Sequence, residues 1–253
     1  SANILATAPI IEEKQVPEMG TGTGAAWTQM GYKYIFRANP RADYYNKETV
    51  DAMKKLGVKT LATLNSQTEY AKATVEDLIN QLKEAGGIEV VVSESHHPGD
   101  TDFTGQLTKM INSGAEAFYV VGGPEEISLH VKQARKLGFN GWIFGVEGFT
   151  SPDIIKIAGD AANNIIYGAA DVIPEKPEDG VNEVERKFLK VYFEKYGEMP
   201  SSDCAYRSYD AMMLLELAIK NAKSLSGPDI RDGILKISEY NGIAGKFDFT
   251  NST

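Results

Sequence analysis

Lys59-Thr60-Leu61-Ala62-Thr63-Leu64, Ile88-Glu89-Val90-Val91-Val92, Ala117-Phe118-Tyr119-Val120-Val121 and Trp142-Ile143-Phe144-Gly145-Val146 are four short apolar or β-branched runs, each giving way to small or polar residues. Runs of this length read as strands, and their alternation with amphipathic segments is the pattern of a parallel sheet. After the first, Val75, Leu78, Ile79 and Leu82 share one helical stripe that ends near Gly86-Gly87. After the second, the loop His97 to Phe103 leads into a helix marked by Leu107, Met110 and Ile111 and stopped at Gly114. Leu129 to Leu137 is the third helix, braked at Gly138, so the order is β-α-β-α-β-α-β. Outside this block, Asn182 to Tyr196 predicts a charged helix with Val184, Phe188, Val191 and Tyr192 as its apolar positions. Asp203 to Ala222 predicts a long one with Tyr206, Tyr209, Met213, Leu217 and Ile219 on one side. Arg37-Ala38-Asn39-Pro40 and the acidic, proline-broken stretch Val172 to Gly180 are breaks suited to crossings between two lobes.

Composition narrows the function. The 253 residues are 42% hydrophobic and 24% charged, a globular mixture that supports a sizeable core. Lys and Arg number 26 against 35 Asp and Glu, a net charge of -9 that repels phosphate backbones and anionic lipid, so nucleic acid is not an expected partner. The apolar runs are far shorter than the ~20 residues of a membrane span. One cysteine, Cys204, precludes an internal disulfide, and three histidines make a histidine-built metal centre unexpected; no metal or cofactor is implied.

Chemistry is sparse. No G-x-S-x-G elbow, phosphate loop or H-E-x-x-H occurs. Gly20-Thr21-Gly22-Thr23-Gly24 lacks the spacing of a dinucleotide fingerprint; it is either a flexible turn or a loop where a ligand meets the backbone and two hydroxyls. Glu147, at the end of the Trp142 strand between Gly145 and Gly148, either caps a helix or sits in solvent, or it faces the crevice beyond the strand ends, where it suits an ammonium group. Tyr70 either packs at a helix start or closes over a small ligand, and Gly122-Gly123-Pro124 offers bare backbone. None of these pairs a nucleophile with a base, which favours binding without turnover. An enzyme using Glu147 or Asp102 as a general base is the rival reading from another class.

The chain resembles the type I periplasmic solute-binding proteins of the leucine/isoleucine/valine class. The likeness rests on Ser1 to Pro9, Val16-Pro17 with the Gly20 to Gly24 loop, Tyr34 to Pro40, Pro98 to Phe103, Gln133 to Gly138 and Gly145 to Gly148, in family order and spacing. It implies an α/β fold of two doubly wound parallel-sheet lobes: residues 1–40 begin lobe one, 41–170 form lobe two, 171–246 complete lobe one, and 247–253 start a return crossover. It implies an extracytoplasmic component of an ABC importer that captures an amino acid or related zwitterion by hinge closure and presents it to a membrane permease; a sensor of the same fold is the alternative. Ser1, Thr21 and Thr23 fall where the family holds the ligand's α-carboxylate and α-ammonium, Glu147 where it answers the ammonium, and Tyr70 on its crevice tyrosine. Gly123 stands where close relatives carry an aromatic ring. Glycines replace the S-P-S-A residues around Thr21 and Thr23, which implies a widened pocket. The resemblance also implies about 60–80 residues before Ser1 at about 30 per βαβ unit, with a signal segment outside this chain, a periplasmic or membrane-anchored extracellular location, and an incomplete lobe one whose sheet edge is open to association with another copy.

Overall fold

In the computed structural model, residues 2–151 and 153–251 are described, and they divide into two units, 42–170 and 1–41 with 171–253. The first of these carries the strand-rich block. Its strands β3 (Thr60–Ser66), β4 (Glu89–His96), β5 (Ala117–Val121), β6 (Trp142–Gly145) and β7 (Ile165–Tyr167) form one parallel sheet in the order β4-β3-β5-β6-β7. Leu61 lies opposite Ala117 and Asn65 opposite Val121; Tyr119 lies opposite Phe144, and Gly145 opposite Tyr167.

Side chains alternate across the sheet and meet a helical layer on each side. Leu61, Ala117, Tyr119, Val121 and Phe144 pack with Tyr45, Val50 and Met53 of α2 (Ala42–Lys55) and with Val75, Leu78 and Leu82 of α3 (Glu69–Ala85). Ala62, Leu64, Phe118 and Val120 pack with α4 (Thr104–Asn112), α5 (Pro124–Lys136) and α6 (Asp153–Ala158). Coverage on both faces is why β5 is buried at every position and reads as an unbroken apolar run. The sheet edge reads differently. β4 runs four residues beyond Val92 because Ser93 to His96 continue the ladder with Thr63 to Ser66. Its polar residues are those of an edge strand, with Glu94 exposed enough to meet Lys109 at 3.1 Å, so polarity there does not signal a loop.

His96, at the end of β4, and His130 of α5 are both buried beside the Phe103 ring. His96 Nδ1 lies 2.9 Å from the His97 carbonyl, so it carries the proton and leaves Nε2 to accept from His130 Nε2 at 3.0 Å. Burial, and then His96, hold His130 well below the ordinary histidine range. The two imidazoles and the Phe103 ring pack together in this corner of the unit.

The other unit contains α1 (Ala2–Lys14), the parallel pair β1 (Glu18–Gly20) and β2 (Ile35–Arg37), helices α7 (Glu183–Tyr196), α8 (Cys204–Asn221) and α9 (Gly227–Ile234), and the hairpin β8 (Tyr240–Asn241) and β9 (Lys246–Phe247). Met19, Phe36, Leu214, Ala218, Ile234 and Phe249 share its main core, so the segment expected to open a crossover packs here through Phe249. The buried face of α8 is rotated from the expected one: Tyr206, Arg207, Asp210, Ala211, Leu214 and Ala218 are inside, whereas Ile219 is exposed. Charged groups override the apolar stripe because each has partners. Arg207 ion-pairs with Asp203, and Asp210 accepts from the Ile243 and Ala244 amides at 3.0 and 2.8 Å. On α7, Glu185 is likewise buried, receiving the Tyr206 hydroxyl at 2.7 Å and the Val181 amide at 2.6 Å, while Val191 points outward.

Asp171, the first residue after the chain leaves the strand-rich unit, joins this cluster. Burial, with Asp203, Glu185 and Asp210 adding repulsion against the pull of Arg207, pushes its carboxyl up to about 7. In the unfolded chain the same proton leaves near pH 4. The folded state thus holds an extra proton between those values, and Asp171 costs stability as pH rises from about 4 to 7, with no further change above. Asp171→Asn is expected to exceed the parent in urea midpoint by a margin that widens from pH 4 to pH 8; a margin that stays the same across this range would contradict this.

Candidate functional site

The carboxyl end of the strand-rich sheet gathers its polar side chains. Glu147 opens the 3-10 turn Glu147–Thr150 directly after β6, and the Thr150 hydroxyl closes that turn on the Glu147 carbonyl at 2.8 Å. Gly145 is required beneath it, because a Cβ there would overlap the Phe149 ring and the Val120 carbonyl. Tyr70 lies in the first turn of α3, which Thr68 caps by accepting the Ala71 amide at 3.2 Å. Its hydroxyl donates to Glu147 Oε1 at 2.8 Å. Groups from the ends of β3 and β6, with β5 between them, therefore meet. Tyr119 of β5 is buried in the same region, and its phenol is pushed well up by burial and then by the Glu147 and Asp77 carboxylates.

Gly123 behaves otherwise than its sequence suggested. It is the N-cap of α5, which starts five residues before Leu129 with Pro124 in its first turn. Its amide donates to Glu126 Oε2 at 2.9 Å, and its carbonyl accepts from Ile127 at 3.0 Å. Glu126 Oε1 also takes the Gly99 amide at 2.9 Å. The helix terminus and the Pro98-Gly99 loop are thus joined by an internal carboxylate, and the bare backbone expected at Gly123 is committed.

Thr21 and Thr23 belong to the other unit, in the loop after β1; Thr23 is buried and Thr21 half-buried. Arg37 of β2 organises this loop. Its guanidinium donates to the Gly22 and Gly24 carbonyls at 2.6 Å each and to the Thr28 hydroxyl at 3.1 Å, while lying 3.9 Å over the Trp27 ring. Asn39 Nδ2 adds a 3.3 Å bond to the Thr21 carbonyl. The glycine-rich string is fixed through its carbonyls and is not a slack turn. At Gly20 the missing side chain opens no pocket: the fully buried Trp27 indole lies 2.8 Å from where a Cβ would stand. Arg37 and Asn39 were visible only as a motif. A guanidinium reaching back 13 and 15 residues leaves no local sequence signal. Ser1 lies outside the described residues.

Among the described residues no group of three or more His, Cys, Asp or Glu could hold a metal ion, and no helix is long and apolar enough to cross a membrane. The strand-rich unit is thus an α/β fold whose tyrosine–carboxylate pair lies at the carboxyl end of its parallel sheet, the end at which open α/β sheets bind ligands. The chain belongs to the periplasmic binding protein family, whose profile matches residues 1–253, and its likeness is to the branched-chain amino-acid class. It is 31% identical to a structure of a leucine-binding protein from Thermotoga maritima, with a TM-score of 0.82 over 98% of this chain and 69% of that one. It is 27% identical to the substrate-binding protein of a branched-chain amino-acid transporter from Streptococcus pneumoniae solved with isoleucine, with a TM-score of 0.81 over 96% of this chain and 68% of that one. A leucine-, isoleucine-, valine-, threonine- and alanine-binding protein from Pseudomonas aeruginosa is 26% identical over 206 residues, 80% of this chain and 52% of that protein. The chain thus spans about half the length of curated relatives that it matches.

Because Trp27 fills the space at Gly20, Gly20→Ser is expected to destabilise the protein by about 1–3 kcal/mol, the usual range for overpacking, and to shift Trp27 emission to the red in a Trp142→Phe background. Unchanged melting and emission would show that the indole yields freely.

Proposed function

We propose that the chain is the solute-capturing component of an ABC importer, taking a small amino acid or related zwitterion by hinge closure between its two units. The observation that carries this reading is the Tyr70–Glu147 hydrogen bond at the carboxyl ends of β3 and β6. A carboxylate already oriented by a phenol donor is suited to an ammonium group, since cation recognition is strongest where the anion is held before the ligand arrives. Thr21 and Thr23, on the loop fixed by Arg37, together with Ser1, are the proposed partners of the ligand's carboxylate. Each charge-assisted hydrogen bond contributes about 1.5–3 kcal/mol. The names of the relatives support an amino acid as ligand, an extracytoplasmic location and a permease as partner. Closure then reflects tighter binding by the closed form than by the open one, with no bond made or broken.

Calorimetry with L-isoleucine and with its deaminated analogue 3-methylpentanoate tests the role of Glu147. Glu147→Gln is expected to weaken L-isoleucine about tenfold or more, matching the loss of one charged hydrogen bond, and to leave the carboxylic acid nearly unaffected. Equal losses for both ligands would refute the assignment.

A further inference from the structure

Between the sheet and helices α2 and α3 lies a fully buried amide side chain. Asn46 of α2 uses its whole amide: Nδ2 donates to the Thr74 carbonyl at 2.8 Å and to Asp77 Oδ2 at 2.7 Å, and Oδ1 accepts the Tyr119 hydroxyl at 2.5 Å. One residue thereby ties α2, α3 and β5. Thr74 in turn donates its hydroxyl to the Tyr70 carbonyl at 2.8 Å, one helical turn back, so the anchored turn of α3 is the one that carries Tyr70. The same stretch of α2 backs the ends of β6 and β7. The Thr49 hydroxyl reaches the Gly145 carbonyl at 3.4 Å, and a Cβ at Gly168 would lie 2.6 Å from the Tyr45 carbonyl. Packing of apolar residues alone would leave α3 free to slide by fractions of an ångström; three directional bonds do not. We propose that Asn46 is a positioning residue for the ligand site, fixing the first turns of α3 against β5 so that the Tyr70 hydroxyl meets Glu147. This rests on the amino-acid-capture reading for its affinity consequence, although the placement of Tyr70 can be read without any ligand.

The test uses Asn46→Ala and, as a volume-preserving variant that removes one arm of the anchor, Tyr119→Phe, each alone and combined with Tyr70→Phe. With L-isoleucine as the probe, Asn46→Ala is expected to weaken binding about tenfold and Tyr119→Phe about threefold, within the range of coupling between residues of one network. Both effects should vanish when Tyr70 is already phenylalanine. If Asn46→Ala does not fold, Tyr119→Phe decides. In parallel, the Tyr70 Cζ resonance of ligand-free, 13C-tyrosine-labelled protein, assigned with Tyr70→Phe, should move on Glu147→Gln in the parent and stay still in the Asn46→Ala background. Lowered melting with unchanged affinity and an unchanged Tyr70 resonance would overturn the proposal, as would affinity losses that persist without Tyr70. Failure of the parent to bind L-isoleucine, L-leucine or L-valine would count against amino-acid capture, and the resonance would then decide the role of Asn46 by itself.

Discussion

A parallel sheet covered by helices on both faces leaves its strands no polar outlet except at their ends. In the strand-rich unit, β5 is apolar from Ala117 to Val121 with every residue buried, so polar groups open to a cleft are expected in the turns beyond the strands. Tyr70 and Glu147 occupy two such turns, and the hydrogen bond between them follows from the strand order that brings those turns near each other. Among the polar residues that do lie within the layers, Asn46, Asp77 and Tyr119 bond to one another and His96 bonds to His130.

The second unit meets the same constraint with less sheet. β1 and β2 are three residues each, too short to supply a covered face, and rigidity near Thr21 and Thr23 comes from Arg37, whose guanidinium gathers carbonyls and stacks on Trp27. Its helices bury a cluster of carboxylates around one arginine, an arrangement that tolerates Asp171 best when that carboxyl keeps its proton. Ion pairs buried in this way fix geometry more surely than they add stability.

Much of the strand-rich unit was legible because its strands are uniform apolar runs and its helices carry single stripes ending at glycine, as at Val75, Leu78 and Leu82 before Gly86. The places of Tyr70 and Glu147 were legible too, since each follows a strand end within a few residues, but the hydrogen bond between them was not. What sequence missed has a common cause in long-range partners. The polar tail of β4 is a strand because β3 is beside it, the inner face of α8 is charged because Ile243 and Ala244 supply amides, and Gly123 is closed because Glu126 turns back on it. Asn46 belongs with these, as an asparagine inside a helix gives no hint that it joins two other elements.

In the capture we propose, the Glu147 carboxylate, held by Tyr70, receives the ammonium of a zwitterionic ligand. A crystal structure of the protein grown with L-isoleucine tests it most directly. The ligand nitrogen is expected within about 3 Å of a Glu147 carboxylate oxygen, an ordinary charge-assisted contact. An ordered ligand whose ammonium is turned away from Glu147, or held by residues of another region, would contradict it.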